Sequence, residues 1–168
     1  MLVDATVGGP VNRCTTLPEL AGSFPLTSPV PSCATSIKSV TLVGFSHTWA
    51  GDVQVVLTNP AGVGYNLIAR LAAPAAGCLA FGHSSDFVTN YTLVAAADPY
   101  ITSAWPVASA ATIPGGLFPQ YFGEWVSGSA GVANTDLASI PAVPGIWTLN
   151  IYDGAAGDSG SLVSWCID

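Results

Sequence analysis

Charged side chains are scarce in this sequence. Of its 168 residues, three are Lys or Arg and ten are Asp or Glu, so only 8% are charged and the net charge is −7, whereas about 25% of a typical soluble domain is charged. So few cations argue against a nucleic-acid partner, because phosphates are neutralised by Lys and Arg. The surface is therefore expected to consist of small and hydroxyl-bearing residues, or to be partly covered by a partner.

Long apolar runs and long amphipathic helices are also missing. The longest weakly polar stretch, Leu71–Gly82, is interrupted by Pro74 and Gly77, and a membrane span needs about 20 apolar residues. The sequence therefore predicts no membrane span. The 18 glycines follow no triplet period, which excludes a collagen.

Short alternating runs separated by turn residues are present instead, and this pattern is typical of an all-β sandwich. Residues 52–58 and 145–153 alternate most clearly. The predicted core residues in these two runs are Val53, Val55, Leu57, Trp147, Leu149 and Ile151. The first 36 residues contain Pro10, Pro18, Pro25, Pro29 and Pro31. They predict an extended N-terminal segment or arm, and residues 37–168 are the predicted sandwich domain.

Four cysteines occur, at positions 14, 33, 78 and 166, and none has the spacing of a zinc site. An even number in such a chain favours disulfides and an oxidising compartment, although buried free thiols are an alternative. Three pairings are open. We predict Cys14–Cys33, which closes a short N-terminal loop, and Cys78–Cys166, which ties the middle of the chain to the last strand.

Two blocks of sequence resemble a known family. Residues 45–62 read FSHTWAGDVQVVLTNPAG, and residues 144–165 read PGIWTLNIYDGAAGDSGSLVSW. They resemble the P domain of proprotein convertases and its secreted bacterial relatives. That family carries His-Thr followed by Gly-Asp and Ser-Pro-x-Gly, and about 90 residues later Gly-x-Trp-x-Leu, Asp-x-Gly and Leu-x-x-Trp.

The resemblance implies a jelly-roll β-sandwich of about eight strands, with a galactose-binding-like architecture. It also implies a module without catalytic activity, which in the family accompanies a subtilisin-like protease or another secreted hydrolase. The chain of 168 residues has no room for such a protease domain beside the sandwich.

Acidic residues in loops and at strand ends are the best candidates for a site. Calcium binds six to eight oxygen ligands, often carboxylates and the carbonyls of Gly-rich loops. Asp153 and Asp158 flank such a loop, and Asp52 and Asp98 are further candidates. The resemblance also favours a structural calcium ion. Alternatively, these carboxylates only accept backbone N–H bonds in turns, and we slightly favour this role for Asp52.

Other residues suggest chemistry more weakly. His47 and His83 are the two histidines, but no nucleophile elbow accompanies them, and we expect no catalytic residue. His47 is expected to anchor a loop by hydrogen bonds. Asn90 begins an Asn-Tyr-Thr glycosylation sequon. Three tryptophans lie in loop-like sequence and could be exposed, namely Trp49, Trp105 and Trp125.

Two functions follow as hypotheses. The first is a secreted or cell-surface structural subunit, stabilised by calcium, that assembles with copies of itself into a fibre or layer. The scarcity of charge and the N-terminal arm favour it. The alternative is an accessory module of a secreted protease or other hydrolase, or a module that binds a glycan or a protein.

Overall fold

The computed structural model describes residues 1–6, 11–72 and 77–168. Its regular secondary structure is almost all β, apart from two short 3-10 helices at Ser129–Gly131 and Leu137–Ser139. The strands are β1 Glu19–Pro25, β2 Ser39–His47, β3 Gln54–Thr58, β4 Gly64–Ala69, β5 Asp86–Val94, β6 Thr112–Ile113, β7 Gly116–Pro119, β8 Val132–Ala133, β9 Thr148–Asp153, β10 Gly160–Ser161 and β11 Ser164–Ile167. No helix in these ranges is long and apolar enough to cross a membrane.

Two sheets pack against each other and confirm the predicted β-sandwich. The first has the order β1-β9-β3-β4-β8. In the second, β2 pairs with β5, the edge strands β10 and β11 pair with β2, and β6 and β7 pair with β5. Most pairs are antiparallel, but β4 with β8, β5 with β6 and β5 with β7 are parallel. The jelly-roll connectivity stays a prediction.

One core lies between the sheets. The residues predicted for it are all fully buried, namely Val53, Val55, Leu57, Trp147, Leu149 and Ile151. Strand β3 pairs with β9 so that Leu57 lies opposite Leu149 and Val55 opposite Ile151. Successive side chains of a strand point to opposite faces, so one alternating set fills the core. The core prediction is therefore confirmed.

Strand β2 departs from simple alternation. Continued alternation from Val40 and Leu42 would put Gly44 inward, but the pairing with β5 shifts register between Leu42 and Phe45. Gly44 has a φ of +58°, which suits glycine. The shift turns Phe45 into the core, where its ring centroid lies 5.0 Å from that of Phe87. The extra residue forms a β-bulge.

The predicted N-terminal segment contributes a strand to the sandwich. Strand β1 pairs antiparallel with β9 from Glu19 to Pro25, with a register shift between Leu20 and Gly22. Leu2 is also held, because its amide donates to the carbonyl of Gly160 and its side chain is buried. The domain boundary after residue 36 stays a prediction, but β1 lies at the edge of the first sheet.

The predicted disulfide pairing is wrong. Cys14 is bonded to Cys78, and the remaining cysteines, Cys33 and Cys166, are exposed thiols. The predicted pairing treats the segment between Cys14 and Cys33 as irregular, but this segment contains strand β1, whose seven extended residues span roughly 20 Å. The amide of Arg13 donates to the carbonyl of Cys78 at 2.7 Å, which aligns the two bonded segments.

Candidate functional site

A cluster of buried charges lies at one end of the sandwich. Arg70 follows β4 and is fully buried, and Asp52 precedes β3 and is 1% exposed. Asp52 Oδ1 lies 3.6 Å from Arg70 Nη2, and Arg70 Nε donates to the carbonyl of Gly51 at 3.2 Å. Gly154 leaves room for the guanidinium, because a Cβ there would overlap it. Arg70 therefore supplies a cation inside this end of the fold.

A second acidic group lies beside it. Asp153, the last residue of β9, is 2% exposed, and its Oδ2 lies 3.5 Å from Nε2 of His47. The same carboxylate accepts the amides of Ala5 at 3.3 Å and Ala155 at 3.4 Å. His47 Nδ1 also lies 3.2 Å from the amide nitrogen of Trp49. The expected anchoring role of His47 is consistent with these contacts.

Burial dominates the electrostatics of this cluster. It raises the pKa of Asp52 to about 7, against the opposing effect of Arg70. It also lowers the pKa of Arg70 to about 10, while Asp52 acts in the other direction. Arg13 donates to the carbonyl of Arg70, and burial lowers its pKa too. Taking a charged group out of water disfavours the charged form in all three cases.

An open cleft of about 210 Å³ lies above Asp52 and is called here the Trp49 cleft. The loop after β2, the segment before β5 and the loop after β9 form it. Its lining residues are Trp49, Asp52, Phe81, Ala155, Ala156 and Asp158. Trp49 Nε1 donates to the carbonyl of Phe81 at 3.1 Å, which joins two of these segments.

The predicted metal ligands are only partly brought together. Asp52 and Asp158 line the Trp49 cleft, and Asp153 interacts electrostatically with Asp52. Asp98 lies elsewhere, in a turn where its carboxylate accepts the amide of Tyr100 at 2.8 Å. It lines a different cavity together with Lys38.

These carboxylates do not form a compact ligand set. Among the residues that the structure describes, the only three Cys, His, Asp or Glu ligand atoms within 4.8 Å of one another belong to Cys14, Cys78 and Glu124. The two sulfurs are bonded to each other, so this group offers no pair of thiolates. Calcium binding stays a prediction.

The other histidine and the three loop tryptophans are buried or half-buried. His83 is buried, and its Nδ1 lies 3.1 Å from the hydroxyl of Ser85. Trp125 is 4% exposed, so the expectation that it could be exposed is wrong. Trp105 is half-buried and stacks on Phe118 with ring centroids 4.3 Å apart. Trp49 is half-buried as well.

Two residues at or beneath the Trp49 cleft were not predicted from the sequence. Arg70 and Phe81 lie outside the blocks at 45–62 and 144–165. Arg70 did carry a signal, because it is one of three Lys or Arg residues and directly follows a strand whose residues are all buried. A cation at such a position is expected to have an anionic partner.

The outward side of the second sheet is the other candidate surface, and we call it the outer face. Its defining residues are Thr41, Val43, Ser46, Val88, Asn90, Thr92, Ser161, Ser164 and Cys166, and Asp86 at the start of β5 borders them. None of the defining side chains carries a formal charge. Hydroxyl pairs cross between strands, with Thr41 Oγ1 3.0 Å from Thr92 Oγ1 and Ser46 Oγ 3.0 Å from Ser161 Oγ.

Asn90, the predicted glycosylation site, lies on the outer face. It is exposed, and its Oδ1 accepts the amide of Gly44 at 2.7 Å. Its modification stays a prediction.

Comparison of the chain with protein-family models, with curated proteins and with solved structures found no match in any of the three. The resemblance to the P domain thus rests on the two sequence blocks.

Proposed function

We propose that the chain is a non-catalytic extracellular β-sandwich that associates with copies of itself through the outer face. The carrying observation is the composition of this face, in which nine neighbouring outward residues bear no charge. Val88 is 50% exposed there. Exposed surface that combines apolar and hydroxyl groups can be buried at low electrostatic cost.

Electrostatics favour a second copy as the partner. At a net charge of −7, two copies repel each other unless their carboxylates stay apart. Contact through the middle of the outer face meets this condition, since Asp86 lies at the start of β5 and Asp168 follows the end of β11. The hydroxyls can exchange hydrogen bonds across the contact.

The extracellular part of the proposal is supported by the Cys14–Cys78 disulfide, because such bonds persist in oxidising compartments. The resemblance to the P domain supports a module without catalysis. It equally suits the second candidate, an accessory module of a secreted hydrolase, and in that case the outer face contacts the hydrolase domain instead of a second copy.

Two exposed thiols provide a test with an internal control. Cys166 lies on the outer face, whereas Cys33 lies on the loop before β2. A maleimide reagent should alkylate Cys166 more slowly as the protein concentration rises, because association covers it. The rate at Cys33 should stay constant. Equal, concentration-independent rates at both cysteines would refute the proposed contact.

A further inference from the structure

The Trp49 cleft combines features that a cation with an apolar shell requires. We propose that it binds a small organic cation, namely an alkylammonium or a methylated ammonium group. Such a group can belong to a free amine or to a modified lysine side chain, and the shared chemistry is a positive charge surrounded by CH₂ or CH₃ groups. This inference is independent of association through the outer face.

The walls of the cleft are apolar. Trp49 and Phe81 contribute aromatic rings, and Ala155 and Ala156 contribute methyl groups. Aromatic faces attract cations through the ring quadrupole, and Trp does so most strongly. Phe81 is 46% exposed, so a ligand that covers it also gains from the burial of apolar surface.

The floor of the cleft is acidic. Asp52 Oδ1 is buried and has no hydrogen-bond partner, although Arg70 lies 3.6 Å away. Asp158 is half-buried, and its Oδ1 accepts the hydroxyl of Thr48 at 2.8 Å. A cation in the cleft would therefore lie beside Asp158 and above the buried Asp52 while its alkyl groups contact the walls.

The charge around the cleft also favours a cation. Asp4 lies at this end, with its carboxylate 3.1 Å from the amide nitrogen of Gly157, and Asp153 is close enough to raise the pKa of Asp52. Four acidic side chains thus stand against two guanidinium groups, those of Arg13 and Arg70, and the balance stays negative even with Asp52 half ionised at its pKa of about 7. The excess of negative charge increases the local concentration of cations.

The walls are fixed before any ligand arrives. The amide of Gly51 donates to the carbonyl of His83 at 2.8 Å. A Cβ at Gly51 would overlap the backbone of Phe81 and His83, so these two segments touch directly. On the third side, the amide of Ser159 donates to Thr48 Oγ1 at 3.0 Å. A preformed site avoids much of the entropic cost of binding.

The same lining suits a bare calcium ion less well. Calcium takes six to eight oxygen ligands, whereas four of the six residues that line the cleft present aromatic or methyl groups. An ammonium group needs fewer oxygen contacts, because its own alkyl groups fill the apolar part of the cleft.

Nuclear magnetic resonance of the full chain tests the proposal through the indole N–H signal of Trp49, assigned with Trp49→Phe. The probes are tetramethylammonium and n-butylammonium chloride, the uncharged 3,3-dimethylbutan-1-ol as a shape control, and calcium chloride at matched ionic strength. We expect the signal to shift saturably with both ammonium probes. Half-saturation should need a concentration at least roughly threefold lower than with the alcohol. An equal affinity for the alcohol, or a saturable shift with calcium chloride and none with the ammonium probes, would overturn the proposal.

Two carboxylate variants separate a specific site from general screening. Asp158→Asn keeps the acceptor for Thr48 but removes the charge, and it should weaken ammonium binding by roughly threefold or more. Asp98→Asn changes the net charge equally at a distant turn, and it should leave binding unchanged. The same loss in both variants, or in neither, would contradict the proposal.

Discussion

Arg70 organises the end of the sandwich at the scale of single residues. It is the fully buried cation beside Asp52, and the backbone at Gly51 and Gly154 makes room for it. A buried charge that loses its partner costs several kcal/mol. The contribution of this cluster to stability can therefore be tested by changing Asp52, the partner of Arg70, or by filling the space that Gly154 leaves for the guanidinium.

Asp52→Asn tests the partner. Burial raises the pKa of Asp52 from 3.8 to about 7, so the native state binds this proton more tightly than the unfolded state. The resulting stabilisation is complete below about pH 4 and is lost as the pH rises through about 7. The free energy of unfolding of the wild type, minus that of the variant, should therefore fall by up to about 4 kcal/mol between these limits.

Urea denaturation of both proteins at several pH values measures this difference. A difference that rises with pH would contradict the expectation, because it would mean that Arg70 holds the pKa of Asp52 below its ordinary value.

Gly154→Ala tests the space. The new Cβ would overlap the guanidinium of Arg70 and push it from Asp52, so we expect a loss of about 3–5 kcal/mol in the free energy of unfolding. Gly62→Ala is the control, because its Cβ meets nothing within 4 Å and only the φ of +84° opposes it, which costs about 1–2 kcal/mol. Equal losses in the two variants, measured by urea denaturation, would argue against a tightly packed Arg70.

Strand β1 shows at the scale of elements what the sequence could not predict. Alternation placed β3 and β9 and their core residues correctly, because a strand with one buried face repeats every two residues. Residues 19–25 form an edge strand with little buried surface, so their pattern is weak. The disulfide depended on the path of this strand, and its prediction failed for that reason.

Only part of the candidate site could be predicted from the sequence. Asp52 and Asp158 lie in the two family-like blocks, and the structure brings them to one cleft. Phe81 enters this cleft from a segment without a recognisable pattern, and Arg70 reaches the charge cluster beneath it from the end of β4. Such contacts between distant segments depend on the packing of loops, which no local period encodes.

Loss of the Cys14–Cys78 bond should destabilise the fold. The bond spans 64 residues, and the chain-entropy estimate for such a loop is about 4 kcal/mol. We expect Cys14→Ala with Cys78→Ala to lower the free energy of unfolding by about this amount. The matched control, Cys33→Ser with Cys166→Ser, should change it by less than about 0.5 kcal/mol.

Peptide mapping without reduction checks the bond itself. A cross-linked peptide pair should contain Cys14 and Cys78, and a pair that joins Cys14 to Cys33 or to Cys166 would contradict the structure.

At the scale of the whole molecule, the few charged residues are unevenly distributed. The acidic groups gather partly around the Trp49 cleft, whereas the outer face carries none. This distribution agrees with both proposals, a cation at one end of the sandwich and contact with another copy on one side. Glycosylation of Asn90 would cover that side, so the modified protein should associate more weakly than the unmodified protein.

Sedimentation velocity tests association through the outer face most directly. The wild type should sediment as a species larger than the 17.0 kDa monomer at high protein concentration and dissociate on dilution. Val88→Lys places a charge on the outer face and should shift the protein to the monomer, whereas Val107→Lys, on an exposed loop, should behave like the wild type. A wild type that stays monomeric at every concentration, or an assembly that Val88→Lys leaves intact, would contradict the account.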